Sequence, residues 1–170
     1  VGAGALQYNT TGNNNTAVGR QASVYNGTAT NNTSVGYRAL FANTASNNTA
    51  VGVNALRFNT TGTGHVAVGE AALRNNTSGN RNTAVGRLAL ANNNTGTYNV
   101  AVGNQALYSN TGGGNNTAMG LEALTANTTG FLNTAIGRTS LVNNTTGYNN
   151  TALGALTLFC NTTGRFNTAL

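Results

Sequence analysis

Apolar residues fall along this chain as two pairs, Ala-Val and Ala-Leu, set five residues apart, as in Ala50-Val51 with Ala55-Leu56 and Ala84-Val85 with Ala89-Leu90. Polar stretches of Asn, Thr and Gly separate one such unit from the next. The unit, Asn-Thr-Ala-Val-Gly-x-x-Ala-Leu-x-x-Asn-Thr-Thr-Gly-x-Asn, returns ten times. Its marker is the glycine after the Val-type residue: Gly2, Gly19, Gly36, Gly52, Gly69, Gly86, Gly103, Gly120, Gly137 and Gly154. Of the nine intervals between these glycines, eight are 17 residues and one, Gly36 to Gly52, is 16. A unit this short cannot bury its apolar side alone and must stack on its neighbours.

Helices of useful length do not fit a repeat so rich in Gly, Asn and Thr. The pattern predicts two short strands per repeat, Asn-Thr-Ala-Val and Ala-Leu-x-x, joined by a sharp Gly-x-x link and a longer Asn-Thr-Thr-Gly-x-Asn link. Each strand is expected to pair in parallel and in register with its equivalent in the next repeat. The result is an all-β parallel β-solenoid, or β-roll, of ten rungs of about 17 residues, roughly 45–50 Å long at a strand spacing of ~4.8 Å. Gly12, Gly62, Gly79, Gly96, Gly113, Gly130, Gly147 and Gly164 fall where a positive φ is expected. The missing residue of the third repeat lies near Ser46, in a turn, where its loss leaves the strands in register.

Two asparagine columns run through the repeats. One holds Asn9, Asn26, Asn43, Asn59, Asn76, Asn93, Asn110, Asn127, Asn144 and Asn161. The other holds Asn15, Asn32, Asn48, Asn82, Asn99, Asn116, Asn133, Asn150 and Asn167, interrupted by His65. In-register amides can hydrogen-bond up and down a stack and hold turn conformations.

Alternate side chains of a strand point to opposite faces, so adjacent Ala and Val, or Ala and Leu, make both faces apolar. The larger columns are Val18, Val35, Val51, Val68, Val85 and Val102, and Leu40, Leu56, Leu73, Leu90, Leu107 and Leu124. One face fills the thin interior. The other is a continuous apolar stripe, expected to be buried against a second copy of the chain. The alternative leaves the Ala column as a tolerated surface. Ser34 interrupts the Ala column and Ser23 the Leu column.

Composition narrows the function. The chain has 170 residues, 6% of them charged, no proline, and a net charge of +6 carried by arginine alone against Glu70 and Glu122. The arginines are spread over several repeat positions and do not form the single column that would track a phosphate backbone, so no nucleic-acid partner is expected. Glu70 and Arg87 share a column in consecutive repeats and are expected to pair. His65 stands alone and the two carboxylates lie three repeats apart, which leaves no acid–base or nucleophilic constellation; the chain reads as non-enzymatic. Without Asp in each repeat it lacks the ligands of calcium-binding β-rolls, and with Cys160 as its one cysteine it has no disulfide or thiolate metal site. No cofactor is expected. No apolar run reaches the length of a membrane span. The chain begins and ends in the same repeat column and reads as one repetitive segment, 1–170, excerpted from a longer repeat chain.

The phrase Asn-Thr-Ala-Val-Gly-x-x-Ala-Leu, whole at Asn48–Leu56 and Asn82–Leu90 and with Met119 at Asn116–Leu124, resembles the head repeats of trimeric autotransporter adhesins. It is closer still to the Asn-Thr-Thr-Gly-rich repeats of phage tail-fibre proteins. The resemblance implies a left-handed β-roll, three copies side by side, in a rigid extracellular, cell-surface or virion rod. The loop tips Tyr98, Phe131, Tyr148, Arg165 and Phe166 are candidate surface contacts, for cell-surface glycans or for a neighbouring fibre. A reading from another class is ice binding by the column Thr10, Thr60, Thr77, Thr111, Thr128, Thr145 and Thr162.

Overall fold

The computed structural model describes residues 1–170. It contains ten short strands, one per repeat: β1 (Thr16–Val18), β2 (Thr33–Val35), β3 (Thr49–Val51), β4 (Val66–Val68), β5 (Thr83–Val85), β6 (Val100–Val102), β7 (Thr117–Met119), β8 (Thr134–Ile136), β9 (Thr151–Leu153) and β10 (Thr168–Ala169). They form one parallel sheet in chain order. Equivalent residues pair throughout, for example Thr83 with Val100, Ala84 with Ala101 and Val85 with Val102. The chain is therefore a β-solenoid advancing one strand per repeat. The shortened repeat keeps register, with Thr33 opposite Thr49 and Thr49 opposite Val66.

The second expected strand is not a strand. The Ala-Leu-x-x segment is a turn, and its leucines sit at positive φ: Leu40 at 51°, Leu56 at 50°, Leu73 at 51°, Leu90 at 51°, Leu107 at 53° and Leu124 at 54°. In all, 28 non-glycine residues adopt this left-handed region. For an L-residue the left-handed conformation costs roughly 1–2 kcal/mol, so something must hold it. Rung-to-rung hydrogen bonding does so. Of 109 backbone–backbone hydrogen bonds only 18 lie within the strands; the corners are paired as fully as the sheet. Leu56 N–H, for instance, donates to Ala72 O at 2.9 Å and Leu90 N–H to Ala106 O at 3.0 Å.

Inside, the coil is divided into an apolar and a polar half. The strand alanines (Ala50, Ala67, Ala84, Ala101, Ala118, Ala135) pack with the corner alanines and the leucines Leu40, Leu56, Leu73, Leu90, Leu107, Leu124 and Leu141, all fully buried, as one continuous core. The Ala column is thus the interior face of the sheet and the Val column its exterior face, which excludes the reading of Ala as surface. The two interruptions compensate each other. Ser23 Oγ donates to Ser34 Oγ at 2.8 Å across the interior, and Ser34 Oγ in turn donates to Thr16 O at 3.2 Å. Opposite this core lie the two asparagine columns, also buried.

The loop glycines correct a second expectation. Gly12, Gly62, Gly96 and their equivalents do not adopt positive φ. They are required by close approach: a Cβ on Gly96 would lie 2.4 Å from Asn93 Oδ1 and 2.4 Å from Gly113 O. Positive φ belongs instead to the glycine after Val, as at Gly86 (134°), where a Cβ would also meet Gly103 O at 2.5 Å. The loop-glycine position changes to Ala29 and Ala45 only around the shortened repeat. There the first asparagine column is interrupted as well: Asn43 Nδ2 donates to Ala45 O at 2.6 Å and not to Asn26.

Gly96→Ala is expected to destabilise the chain by about 2–3 kcal/mol through overpacking against fixed backbone. Gly112→Ala, whose Cβ would find only Thr95 Oγ1 at 3.4 Å, is expected to stay within about 0.5 kcal/mol of the parent. Urea unfolding of the two variants checks both.

Candidate functional site

The asparagine columns are the most regular chemistry in the rod. In the first, from Asn59 onward, Nδ2 of each residue donates to Oδ1 of the one a repeat earlier: Asn76 to Asn59 at 2.8 Å, Asn93 to Asn76 at 2.8 Å, Asn110 to Asn93 at 2.7 Å, and Asn127, Asn144 and Asn161 likewise. The second Nδ2 proton goes to the loop glycine three residues on, as from Asn59 to Gly62 O at 2.8 Å. In the second column the side chain caps backbone. Asn99 N–H donates to Asn82 Oδ1 at 2.9 Å, and Asn82 Nδ2 donates to Gly96 O of the next loop at 2.8 Å.

His65 occupies one place in that second column and is fully buried. Asn82 N–H, which can only donate, lies 3.2 Å from Nδ1, so Nδ1 is the acceptor and Nε2 carries the proton. Nε2–H donates to Gly79 O at 2.8 Å. The imidazole therefore reproduces both bonds that an Asn amide makes at this place. Burial away from water depresses its pKa from 6.5 to about 4, against a smaller upward pull from the Gly79 carbonyl that accepts from Nε2–H. His65 is a structural link in the column.

The remaining ionisable groups lie outside. Glu70 and Arg87 form the expected pair, Nε to Oε2 at 3.3 Å, with both side chains more than half exposed; its contribution is under about 1 kcal/mol. Cys160 is exposed and free. No cleft opens in the surface, and no three His, Cys, Asp or Glu side chains converge. No helix is long and apolar enough to cross a membrane.

What the exterior offers is three faces. The first is the flat outside of the sheet. Val18, Val51, Val68, Val85, Met119, Ile136 and Leu153 are each more than a third exposed and lie in one line, with Val35 and Val102 between them half-buried. A parallel column of strand threonines runs beside them, with Val66 and Val100 substituting.

The second face is at the loop tips. Phe131 and Tyr148 stack at 4.7 Å and 5°, Phe166 meets Tyr148 edge-on at 5.5 Å, and Arg165 Nη1 donates to Tyr148 Oη at 2.7 Å. Four of the five tip residues singled out from the sequence thus meet. Tyr98 does not join them; Arg81 Nη1 donates to its hydroxyl at 2.6 Å two rungs away.

The third face was not anticipated as a unit. Arg20 and Arg38 both lie against Tyr37 (5.9 and 5.0 Å to the ring centre), Arg38 and Arg57 both against Phe41 (5.4 and 5.8 Å), and Arg57 against Phe58 at 4.6 Å. Tyr8 and Tyr25 stack at 5.2 Å and continue to Phe41 edge-on at 5.3 Å. These side chains come from four repeat positions, so a column-by-column reading separates them. Adjacent columns on adjacent rungs are nonetheless neighbours.

Comparison with models of known families, with curated proteins and with solved structures returned no match.

His65 generates a pH prediction. Above pH 6.5 the group is neutral in both states and adds no pH dependence. As pH falls from 6.5 to about 4 the unfolded chain takes up a proton that the folded chain refuses, so stability declines by up to about 3 kcal/mol and then levels off. His65→Asn is expected to match the parent at pH 7.5 and to lose this decline. Denaturant midpoints across the pH range measure it; a parallel decline in the variant would contradict the assignment.

Proposed function

We propose that the chain is a non-enzymatic structural segment of a rigid rod, built to associate side by side with copies of itself through the outer face of the sheet. The observation that carries this reading is the exposed Val column, which continues without a charged interruption from Val18 to Leu153. A continuous apolar line on a flat face is seldom left to water. The in-register sheet repeats a medium-sized apolar side chain on every rung, so a partner with the same pitch meets a matching surface along the whole length. A trimer is the form expected from the likeness to adhesin heads and tail-fibre repeats, and that likeness also suggests an extracellular, cell-surface or virion setting. Contact with glycans or neighbouring fibres at the tips is supported by the Phe131–Tyr148–Arg165–Phe166 cluster.

The test is the mass of the native particle by analytical ultracentrifugation. The parent is expected to sediment as an oligomer, and Val68→Glu/Val102→Glu, which sets two charges two rungs apart in the stripe, as a single chain with an unchanged circular dichroism spectrum. A parent that stays monomeric at high micromolar concentration would remove the proposal.

Ice binding is the second reading, and the same flat face supports it. The threonine column first singled out donates its hydroxyls within the chain, as from Thr60 to Thr77 O at 2.8 Å and Thr145 to Thr162 O at 3.1 Å. The strand column Thr33, Thr49, Thr83, Thr117, Thr134 and Thr151 instead points outward beside the valines. Thermal hysteresis at micromolar protein is the expected signature of this reading. Its absence would dismiss it.

A further inference from the structure

The structure assigns a binding surface for an anionic polysaccharide to the arginine–aromatic band on the early rungs, formed by Arg20, Tyr37, Arg38, Phe41, Arg57 and Arg74. This deepens the rod reading by naming a ligand class, and it uses a different face from the valine stripe. Three observations carry it.

The first is uncompensated charge. The chain's one ion pair is Glu70 with Arg87, so none of these four arginines has a carboxylate partner. Arg57 and Arg74 occupy the same column on consecutive rungs, with Phe58 N–H donating to Arg74 O at 3.0 Å. Like charges directly opposite each other in a stack repel. An anion seated between them would relieve that repulsion. Nε of Arg57 and Nε of Arg74 are moreover both buried without a hydrogen-bond partner, a cost that the folded chain already carries.

The second is preorganisation. Arg38 Nε donates to Gln21 Oε1 at 2.7 Å while its guanidinium lies on Tyr37 and Phe41, and Arg57 is held between Phe41 and Phe58. Ring contacts orient guanidinium planes, and oriented forks match sulfate or carboxylate groups in bidentate fashion. The conformational freedom that a mobile surface arginine would lose on binding is largely given up beforehand.

The third is spacing. The four arginines span four consecutive rungs, about 14 Å at the strand repeat, a linear run suited to an extended polymer with a charge on every sugar or every second sugar. A single-stranded nucleic acid would need open ring faces for its bases. Here Tyr8 and Tyr25 cover each other at 5.2 Å, and the faces of Tyr37 and Phe41 are taken by guanidinium groups.

Surface-immobilised heparin and polygalacturonate are the probes, sulfated and purely carboxylated respectively, with dextran as the neutral control. The parent is expected to bind at least one anionic polymer in a salt-dependent manner and not dextran. Arg38→Gln/Arg57→Gln is expected to weaken that binding about tenfold or more, as for the loss of two charge-assisted contacts. Arg87→Gln/Arg138→Gln, which removes the same net charge elsewhere, is expected to bind within about twofold of the parent. Circular dichroism verifies that both variants fold, and sedimentation of each reports the assembly separately, so loss of the rod oligomer and loss of the glycan site are told apart. Three results would overturn the assignment: no binding of either anionic polymer, equal weakening by the two double variants, or tighter binding of an oligothymidylate than of both polysaccharides.

Discussion

Every residue in this rod faces its own equivalent in the rung above and the rung below, and that translational repeat governs which side chains the chain can use. A residue type is admissible in a column only if it tolerates a copy of itself about 4.8 Å away. Asparagine suits this condition because its amide both donates and accepts, so Asn76, Asn93 and Asn110 satisfy one another in sequence. Charged residues do not, since a filled column would stack like charges; the chain is 6% charged, and the one column that carries opposite signs on neighbouring rungs yields its ion pair. Proline, which lacks the N–H that each rung gives to the next, is absent altogether.

The same constraint explains why strained backbone persists. A leucine at positive φ is unfavourable in isolation, and nothing in the residue type announces it. Once the corner of one rung takes that conformation, the N–H and C=O groups of the next are presented for the identical corner, and the conformation repeats through Leu40, Leu56, Leu73, Leu90, Leu107 and Leu124. The leucine side chain is then directed to the interior, where it is fully buried. Burial of roughly 2 kcal/mol per side chain and the paired corner offset the conformational cost.

The repeat length, the parallel register and both asparagine columns are legible in the residues because each depends on position modulo 17. Three features are not. Ala-Leu-x-x reads as a strand because its apolar pair looks like that of Ala-Val, yet only the Thr-Ala-Val segment is extended. The loop glycine reads as a conformational requirement, whereas at Gly96 the demand is for space beside Gly113 O and Asn93 Oδ1. The arginine–aromatic band is hidden because its members occupy different columns; Tyr37, Phe41 and Phe58 meet their arginines only when neighbouring columns are laid side by side. In each case the missing information is the path of the chain within one turn, which periodicity between turns does not encode.

Ser23 with Ser34, and His65 within an asparagine column, show how far a column can be broken. Each interruption keeps the hydrogen-bond account of its place closed: the serines satisfy each other where Leu and Ala would have made no polar demand, and the imidazole offers one acceptor and one donor where an amide would. The interior is therefore selective for bonding pattern and volume, not for residue identity. On the exterior no such test applies, and it is there that Arg, Tyr, Phe and Glu enter. A rod whose inside is held nearly constant by translation can vary only its surface, so any specificity it has must be written in the few exposed positions where consecutive rungs differ.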